Sequence, residues 1–377
     1  MTGDGGIPGF TLTRLAPAKI NLALHVVGQR TDGYHLLESL VTFADAGDRI
    51  GLSVSDIDRF TVSGAFADHL PLKGDGASGN LVLKARDLLR VYLADQGIKT
   101  EPVHLRLEKN LPIASGIGGG SADAATTLRG LLRLWDASID HETLHRIALK
   151  LGADVPMCLD GRPLIAKGIG DEIVPVAGLP AFPVLIVNPL KCVSTPTIFR
   201  LLTNKTNPPL LMAGAARFPD HAVHGPRNRG DVPPSVGDAD ISPSRGEIAS
   251  GLEIRKENEQ SPPQGGRCPE MTEGRKPPHA PTLLHRDWID YLRSTRNDLE
   301  PPARSIEPEI GAVSAALAKE DALFVRMSGS GATCFGLFDT ITERDRAAAN
   351  LSSQHPNWYV LACTSIGGEE YGDGRHG

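Results

Sequence analysis

Apolar positions along this chain alternate between the period of a strand and the period of a helix. Ile20, Leu22, Leu24 and Val26 recur every second residue, as in a strand with one buried face. Val103-His104-Leu105-Arg106-Leu107 repeats that alternation. Between them, Leu81, Val82, Ala85, Leu88, Leu89 and Leu93 fall on one helical face, and Ala122, Ala125, Leu128, Leu131, Leu132 and Trp135 predict a second helix beginning after Ser121. The mixture predicts an α/β or α+β domain over residues 10–175. A second domain opens on the strand pattern Phe182-Pro183-Val184-Leu185-Ile186-Val187, passes into a helical pattern near residues 195–202, and is expected to occupy residues 181–203 and 284–370. Residues 204–283 interrupt it. They are dense in proline and glycine, carry Phe218 as their one aromatic residue, and balance opposite charges. Such a stretch buries too little apolar surface to offset its ordering entropy, so it is expected to be a disordered insertion of about 80 residues.

Bulk composition narrows the classes of function. The chain has 377 residues, 40% of them hydrophobic and 22% charged, which suits a globular protein of two domains. A net charge of −6 and the lack of a basic run with interleaved aromatics argue against a nucleic-acid partner and for a small-molecule substrate. Cys158, Cys192, Cys268, Cys334 and Cys363 are dispersed and form no Cys-x-x-Cys pair, so neither a disulfide framework nor a cysteine zinc site is suggested. The N-terminus lacks the basic and apolar blocks of a secretory signal, and no apolar run approaches membrane-spanning length. A cytoplasmic protein with no membrane partner is expected.

The segment that points most directly to chemistry is Leu111-Pro112-Ile113-Ala114-Ser115-Gly116-Ile117-Gly118-Gly119-Gly120-Ser121-Ala122-Asp123. Four glycines and two serines run straight into a helix. Glycine lets backbone N–H groups approach an anion closely, and the helix behind contributes unsatisfied N–H groups and the positive end of its dipole. No Lys-Ser or Lys-Thr follows the last glycine, and the spacing is not that of a dinucleotide-binding fingerprint. An anion cradle is the reading favoured over a glycine-rich linker, because the loop is tied to an alternating strand before it and a packing helix after it.

Three further segments carry polar groups suited to the same chemistry. Lys19 and Asn21 share the strand face opposite Ile20 and Leu22, where an ammonium and an amide suit a hydroxyl or phosphate; an ordinary solvated strand face is the alternative. Tyr34 and His35 end the polar turn Gly28-Gln29-Arg30-Thr31-Asp32-Gly33, offering a stacking ring and a hydrogen-bonding imidazole, although tyrosine at a turn is also common packing. Asp154 in Gly152-Ala153-Asp154-Val155-Pro156 is either a carboxylate that accepts a hydroxyl proton in phosphoryl transfer or a helix N-cap. A second glycine and serine turn, Ser328-Gly329-Ser330-Gly331, either closes over phosphate, supports the first loop or is a plain tight turn.

Six segments in this order and spacing resemble one family: Pro17-Ala18-Lys19-Ile20-Asn21-Leu22, Arg30-Thr31-Asp32-Gly33-Tyr34-His35, the glycine loop, Gly152-Ala153-Asp154-Val155-Pro156, Asn297-Asp298-Leu299-Glu300 and Ser328-Gly329-Ser330-Gly331. It is that of the 4-diphosphocytidyl-2-C-methyl-D-erythritol kinases, within the superfamily named for galactokinase, homoserine kinase, mevalonate kinase and phosphomevalonate kinase. The resemblance implies an α+β fold with an N-terminal domain like ribosomal protein S5 domain 2, a C-terminal ferredoxin-like domain, and the active site in the cleft between. It implies transfer of phosphate from ATP to the 2-hydroxyl of the cytidyl-linked methylerythritol, in the non-mevalonate route to isoprenoid precursors. Matched residue by residue, Asp154 is the catalytic base and Lys19 its partner. Asn21, Tyr34, His35 and Thr195 face the substrate. Residues 112–122 hold the ATP phosphates, with Lys109 near the nucleotide. ATP chemistry implies Mg²⁺, and with no Walker B carboxylate evident the ion is expected on phosphates and water. The insertion at residues 204–283 departs from the family's short connection there. Another small-alcohol kinase of the superfamily and a catalytically silent nucleotide or sugar-phosphate sensor are the alternatives; Tyr34-His35 argues against the first, and retention of Lys19 with Asp154 against the second.

Overall fold

In the computed structural model, which describes residues 6–70, 79–210 and 285–368, the chain opens on two long antiparallel strands, β1 (Leu12–Gln29) and β2 (His35–Val54). The turn joining them closes with the Arg30 N–H donating to Tyr34 C=O, and Gly33 supplies the positive φ of 92° it needs. Strand β2 organises the first sheet. Its second half pairs with β4 (Val103–Glu108) and its first half with β5 (Leu164–Gly168). The edges are β3 (Arg59–Ser63), parallel to β4, and β6 (Glu172–Pro175), antiparallel to β5.

Helices cover this sheet where the apolar spacing predicted them. α1 (Leu81–Asp95) starts at Asn80, whose side chain accepts from the Val82 N–H, and α2 (Gly119–Leu134) follows the glycine loop. α3 (His141–Leu151) is capped by Asp140, which accepts from the Thr143 N–H, and α4 (Val155–Asp160) follows it. Leu89 and Leu128 of the helices meet Phe43, Leu52 and Leu105 of the sheet in one buried core.

The second sheet holds β7 (Pro183–Asn188), β8 (Phe324–Met327), β9 (Cys334–Leu337) and β10 (Tyr359–Thr364), all antiparallel, in the order β10-β7-β9-β8. Its helices are α5 (Thr195–Arg200), α6 (His285–Ser294), α7 (Glu300–Ile306), α8 (Glu309–Lys319) and α9 (Ile341–Gln354), the last opened by a capping box between Thr340 and Glu343. A sheet with its first and third strands central and crossover helices on one face is the ferredoxin-like arrangement. Val184 to Val187 form an unbroken apolar run because β7 is covered on both faces. Leu185 and Val187 meet Val313 and Leu351 of the helices, whereas Val184 and Ile186 meet Ile20, Leu22 and Leu40 of the first sheet. The two sheets therefore share a core.

Residues 204–210, expected to belong to the insertion, are part of the fold. The Asn207 N–H donates to Val26 C=O at 3.0 Å and the Leu210 N–H to Glu38 Oε2 at 2.8 Å. Backbone donors satisfied this way hold the segment despite its Asn-Pro-Pro composition. The remainder of the expected insertion, residues 211–283, lies outside the described residues. Among the described residues no helix is long and apolar enough to cross a membrane.

Candidate active site

Between β4 and α2 the glycine loop coils with positive φ at Ala114 (51°), Gly116 (77°) and Gly118 (66°). Gly118 is the N-cap of α2, and the first helical bond runs from the Ala122 N–H to Gly118 C=O at 2.9 Å. The N–H groups of Gly119, Gly120 and Ser121 precede that bond and have no partner within the helix. Pro112, Ser115, Ile117 and Ala122 are buried, whereas Ile113, Ala114, Gly116, Gly118, Gly119, Gly120 and Ser121 retain exposure. The run thus divides into anchors and an accessible rim. The second glycine turn anchors it further. A Cβ on Gly116 would lie 2.6 Å from Ser328 C=O and 2.8 Å from Gly331 C=O, so only glycine allows this contact. Ser328 Oγ donates to Gly116 C=O at 3.3 Å and accepts from the Asn21 N–H at 3.1 Å. Asn297 Nδ2 in turn donates to the carbonyls of Met327 and Gly329, each at 2.8 Å. A loop held at this many points is no flexible linker.

Strand β1 brings Lys19 and Asn21 to the same place through two slips of register, one between Pro17 and Lys19 and one between Asn21 and Ala23. Both residues are buried, so their strand face is not an ordinary solvated one. The Lys19 N–H donates to Ile117 C=O at 2.8 Å, and its aliphatic stem lies where a Cβ on Gly118 would come within 3.1 Å of it. The ammonium reaches Asp154 Oδ2 at 2.7 Å. Asp154 occupies the N-cap position of α4, yet its side chain makes no capping bond. It faces Lys19 instead, with 42% of its side chain exposed against 7% for Lys19. A buried cation thus holds a carboxylate at an open surface beside a helix N-terminus. That arrangement can bind an alcohol hydroxyl, accept its proton and offset charge developing on a transferring phosphoryl group.

On the other side of the pair, Asn21 Nδ2 donates to Ser39 Oγ at 2.7 Å, while Asn21 Oδ1 is buried with no hydrogen-bond partner. His35 stacks on Phe199 with ring centroids 4.8 Å apart. Burial, then the charge of Lys205, lowers the His35 pKa, and its buried Nε2 also has no hydrogen-bond partner. Tyr34 sits on the turn, 40% exposed. Thr195 Oγ1 hydrogen-bonds Ser330 Oγ at 2.7 Å, joining α5 to the second glycine turn. Phe199 escaped the sequence reading; its one signal was an aromatic residue four positions after Thr195, on the same helical face. Asp298, whose carboxylate accepts from the Val26 N–H at 2.7 Å and from Asn207 at 3.0 Å, gave no signal beyond its motif.

Lys109, expected near the nucleotide, packs against the start of α2. It is 3% exposed and its ammonium is clamped by Asp48 and, at 2.8 Å, by Asp123 beneath the start of α2. A buried ammonium requires such partners, and here they tie Lys109 to the start of α2, where a Cβ on Gly119 would lie 3.0 Å from its Nζ. Burial alone would lower the Lys109 pKa, but the two carboxylates outweigh it and raise it; burial also pushes the Asp123 carboxyl up. Asp48 further accepts from the N–H groups of Asn110 and Leu111 at 2.6 and 2.8 Å, fixing the loop's first residues.

These features define a class. The GHMP kinases N terminal domain family matches residues 80–162 and the GHMP kinases C terminal family matches residues 282–357. Homoserine kinase from Cytophaga hutchinsonii shares the fold at a TM-score of 0.56 and 16% identity, over 95% of each chain. A crystal structure of 4-(cytidine 5'-diphospho)-2C-methyl-D-erythritol kinase superimposes with a TM-score of 0.63 at 26% identity, over 95% of this chain and all of that one. The 4-diphosphocytidyl-2-C-methyl-D-erythritol kinases of Rhizobium meliloti (strain 1021) and Agrobacterium fabrum (strain C58) are 52% and 47% identical to this chain, each over 96% of it and 98% of its own length. The chain belongs to the 4-diphosphocytidyl-2-C-methyl-D-erythritol kinase family.

Proposed function

We propose that this chain transfers the γ-phosphoryl group of ATP to the 2-hydroxyl of 4-diphosphocytidyl-2-C-methyl-D-erythritol, a step of the non-mevalonate route to isoprenoid precursors, with Asp154 as the proton acceptor. The observation that carries the assignment of roles is the 2.7 Å contact between Lys19 Nζ and Asp154 Oδ2, set against Gly118 at the mouth of α2. Asp154 takes the hydroxyl proton as the oxygen attacks phosphorus. Lys19 orients the carboxylate and holds the nucleophilic oxygen. The N–H groups at the start of α2 and the exposed rim of the glycine loop receive the ATP phosphates, where the helix dipole favours negative charge.

The acceptor lies on the other side of the pair. Asn21 Oδ1, buried and unpartnered, and Thr195 suit its polyol hydroxyls. The stacked His35 and Phe199 rings, with Tyr34 beside them on the turn, suit a planar pyrimidine. A His35 kept neutral by burial offers one donor and one acceptor, as a cytosine edge requires.

Among the carboxylates around the loop, Asp48 and Asp123 are sealed against Lys109 and Asp154 is engaged by Lys19. This donor set fits a Mg²⁺ ion carried on the nucleotide phosphates and completed by water, with Asp154, of these three described carboxylates, the one left open. Bound there, the ion would supply positive charge that offsets the charge of the phosphates during transfer. The cytoplasm is the compartment this reading implies.

Incubation with ATP, Mg²⁺ and the cytidyl substrate is expected to yield equimolar ADP and a product heavier by one phosphoryl group, with mevalonate and homoserine inert. Absence of turnover with the cytidyl substrate, or equal turnover with the other alcohols, overturns the proposal.

A further inference from the structure

A second cluster of ligand-type side chains lies outside the cleft. His141 and His145 stand one turn apart at the start of α3, in the run His141-Glu142-Thr143-Leu144-His145, and Asp160 ends α4 opposite them. Residues four apart share a helical face, and the H-E-x-x-H spacing is the one by which helices present two imidazoles to zinc. The two rings lie 4.2 Å apart between centroids. His145 Nε2 is 3.4 Å and His141 Nε2 is 3.6 Å from the same oxygen, Asp160 Oδ1, and the three candidate donor atoms all lie within 4.8 Å of one another.

Those separations match no good hydrogen bond, for which N–H···O distances centre on about 2.9 Å. The 3.4 Å separation is the donor–donor edge of a tetrahedral zinc site, about 3.3–3.4 Å for bonds of about 2.0–2.1 Å, and the 3.6 Å one needs only a small shift of the exposed His141 ring to reach it. A second observation points the same way. His145 Nε2 is buried and makes no hydrogen bond, which is costly for a polar atom unless something else occupies its lone pair. His141 is 74% exposed on its side chain, which leaves an entry path and an open fourth position for water.

We propose that His141, His145 and Asp160 form a binding site for one divalent first-row transition ion, zinc above all, that ties the first turn of α3 to the end of α4. Asp154 is the N-cap of α4, so the ion braces the short element next to the cleft's open carboxylate. Mg²⁺, which prefers six oxygen ligands, is excluded by the two nitrogens.

Chelator-stripped full-length protein is titrated with ZnCl₂ in the presence of excess Mg²⁺ by calorimetry, and separately with Co²⁺, whose visible spectrum reports a four-coordinate nitrogen and oxygen site. One zinc is expected per chain, with a raised Tm and loss of Co²⁺ absorption on adding Zn²⁺. His141→Ala, whose side chain is largely in solvent, and Asp160→Asn are each expected to weaken the site at least about 10-fold while leaving Mg²⁺-ATP turnover of the metal-free protein unchanged. Unaltered stoichiometric Zn²⁺ affinity in both variants overturns the proposal, as does the absence of stoichiometric binding to the unaltered chain. If Asp160→Asn fails to fold, His141→Ala and the Co²⁺ spectrum decide the matter alone.

Discussion

Replacing Asp154 by Asn separates catalysis from stability at the same atom. The amide keeps the size of the carboxylate, and its oxygen still accepts from Lys19 Nζ, which the native side chain meets at 2.7 Å. What it loses is the ability to take a proton. General-base catalysis contributes at least roughly 10²-fold, or about 2.7 kcal/mol in barrier at about 1.36 kcal/mol per decade, and kcat is expected to fall by that much. The stability cost is smaller. Lys19 is buried, but the carboxylate end of the pair is 42% exposed, so water already screens the attraction. The loss is expected to be about 1 kcal/mol, a Tm change of about 2–4 °C. The KM for ATP should stay close to the unaltered value, because the glycine loop is held by Lys19's backbone, Ser328 and Asp48 and not by the carboxylate of Asp154. The measurements are steady-state ADP release under saturating substrates and a thermal melt of both proteins. A kcat within a few-fold of normal refutes the assignment of Asp154 as proton acceptor, and a large loss of Tm accompanying a large loss of kcat refutes the separation argued here.

Four more perturbations test other parts of the site and the fold. Gly116→Ala places a Cβ 2.6 Å from Ser328 C=O at a φ of 77°, so the two glycine turns must part; a several-fold rise in KM for ATP is expected, and unchanged ATP kinetics would show that the contact does not shape the loop. Lys109→Met leaves Asp48 and Asp123 buried without their cation and should cost about 3–5 kcal/mol in urea unfolding, whereas a loss below about 1 kcal/mol would contradict the triad as a support. Phe199→Ala removes the ring against His35 and is expected to raise KM for the cytidyl substrate at least about 5-fold while leaving KM for ATP alone; equal changes in both would place the ring outside the acceptor pocket. Away from the cleft, Arg90 holds the Asp58 carboxyl at about 2, below the ordinary 3.8. A depressed folded-state value stabilises above the unfolded value and is lost as pH falls through the folded one. The difference in stability between the native chain and Asp58→Asn should therefore be about 1 kcal/mol at neutral pH, discounted for the 31% exposure of the carboxylate, and shrink between about pH 4 and pH 2. A difference that stays constant over that range contradicts the ion pair.

The elements were largely legible because each depends on a few neighbouring residues. The helix predicted after Ser121 is α2, which starts three residues earlier at Gly119, and the alternation over Val103 to Leu107 is β4, which runs one residue further to Glu108. Lys109 was not legible in the same way. Its place before the glycine loop suggests a position near the nucleotide, but its ion pair with Asp48 forms only when the fold brings the two together across a separation of 61 residues. Asn207 and Leu210 read as the start of a proline-rich insertion, because their ordering comes from Val26 and Glu38 and not from their own composition. The His141, His145 and Asp160 cluster was equally hidden, since its third member arrives only when α4 folds back beside α3.

Local periodicity, glycine placement and capping residues act over a turn or a strand, and so the order of residues settles where helices start, which loop can cradle an anion and which motifs follow one another. Contacts between distant segments obey no such rule. Lys19 and Asp154 are 135 residues apart and meet only in the folded chain, where Lys19 follows a register slip in β1 and the Asp154 side chain makes no capping bond to its own helix. Gly116 touches Ser328 only because one core joins the two sheets through Ile20, Leu22 and Ile186. Close packing between the domains selects which of the many polar side chains face one another, and that selection sets Lys19 and Asp154 beside the glycine loop, the arrangement proposed to move a proton and a phosphoryl group.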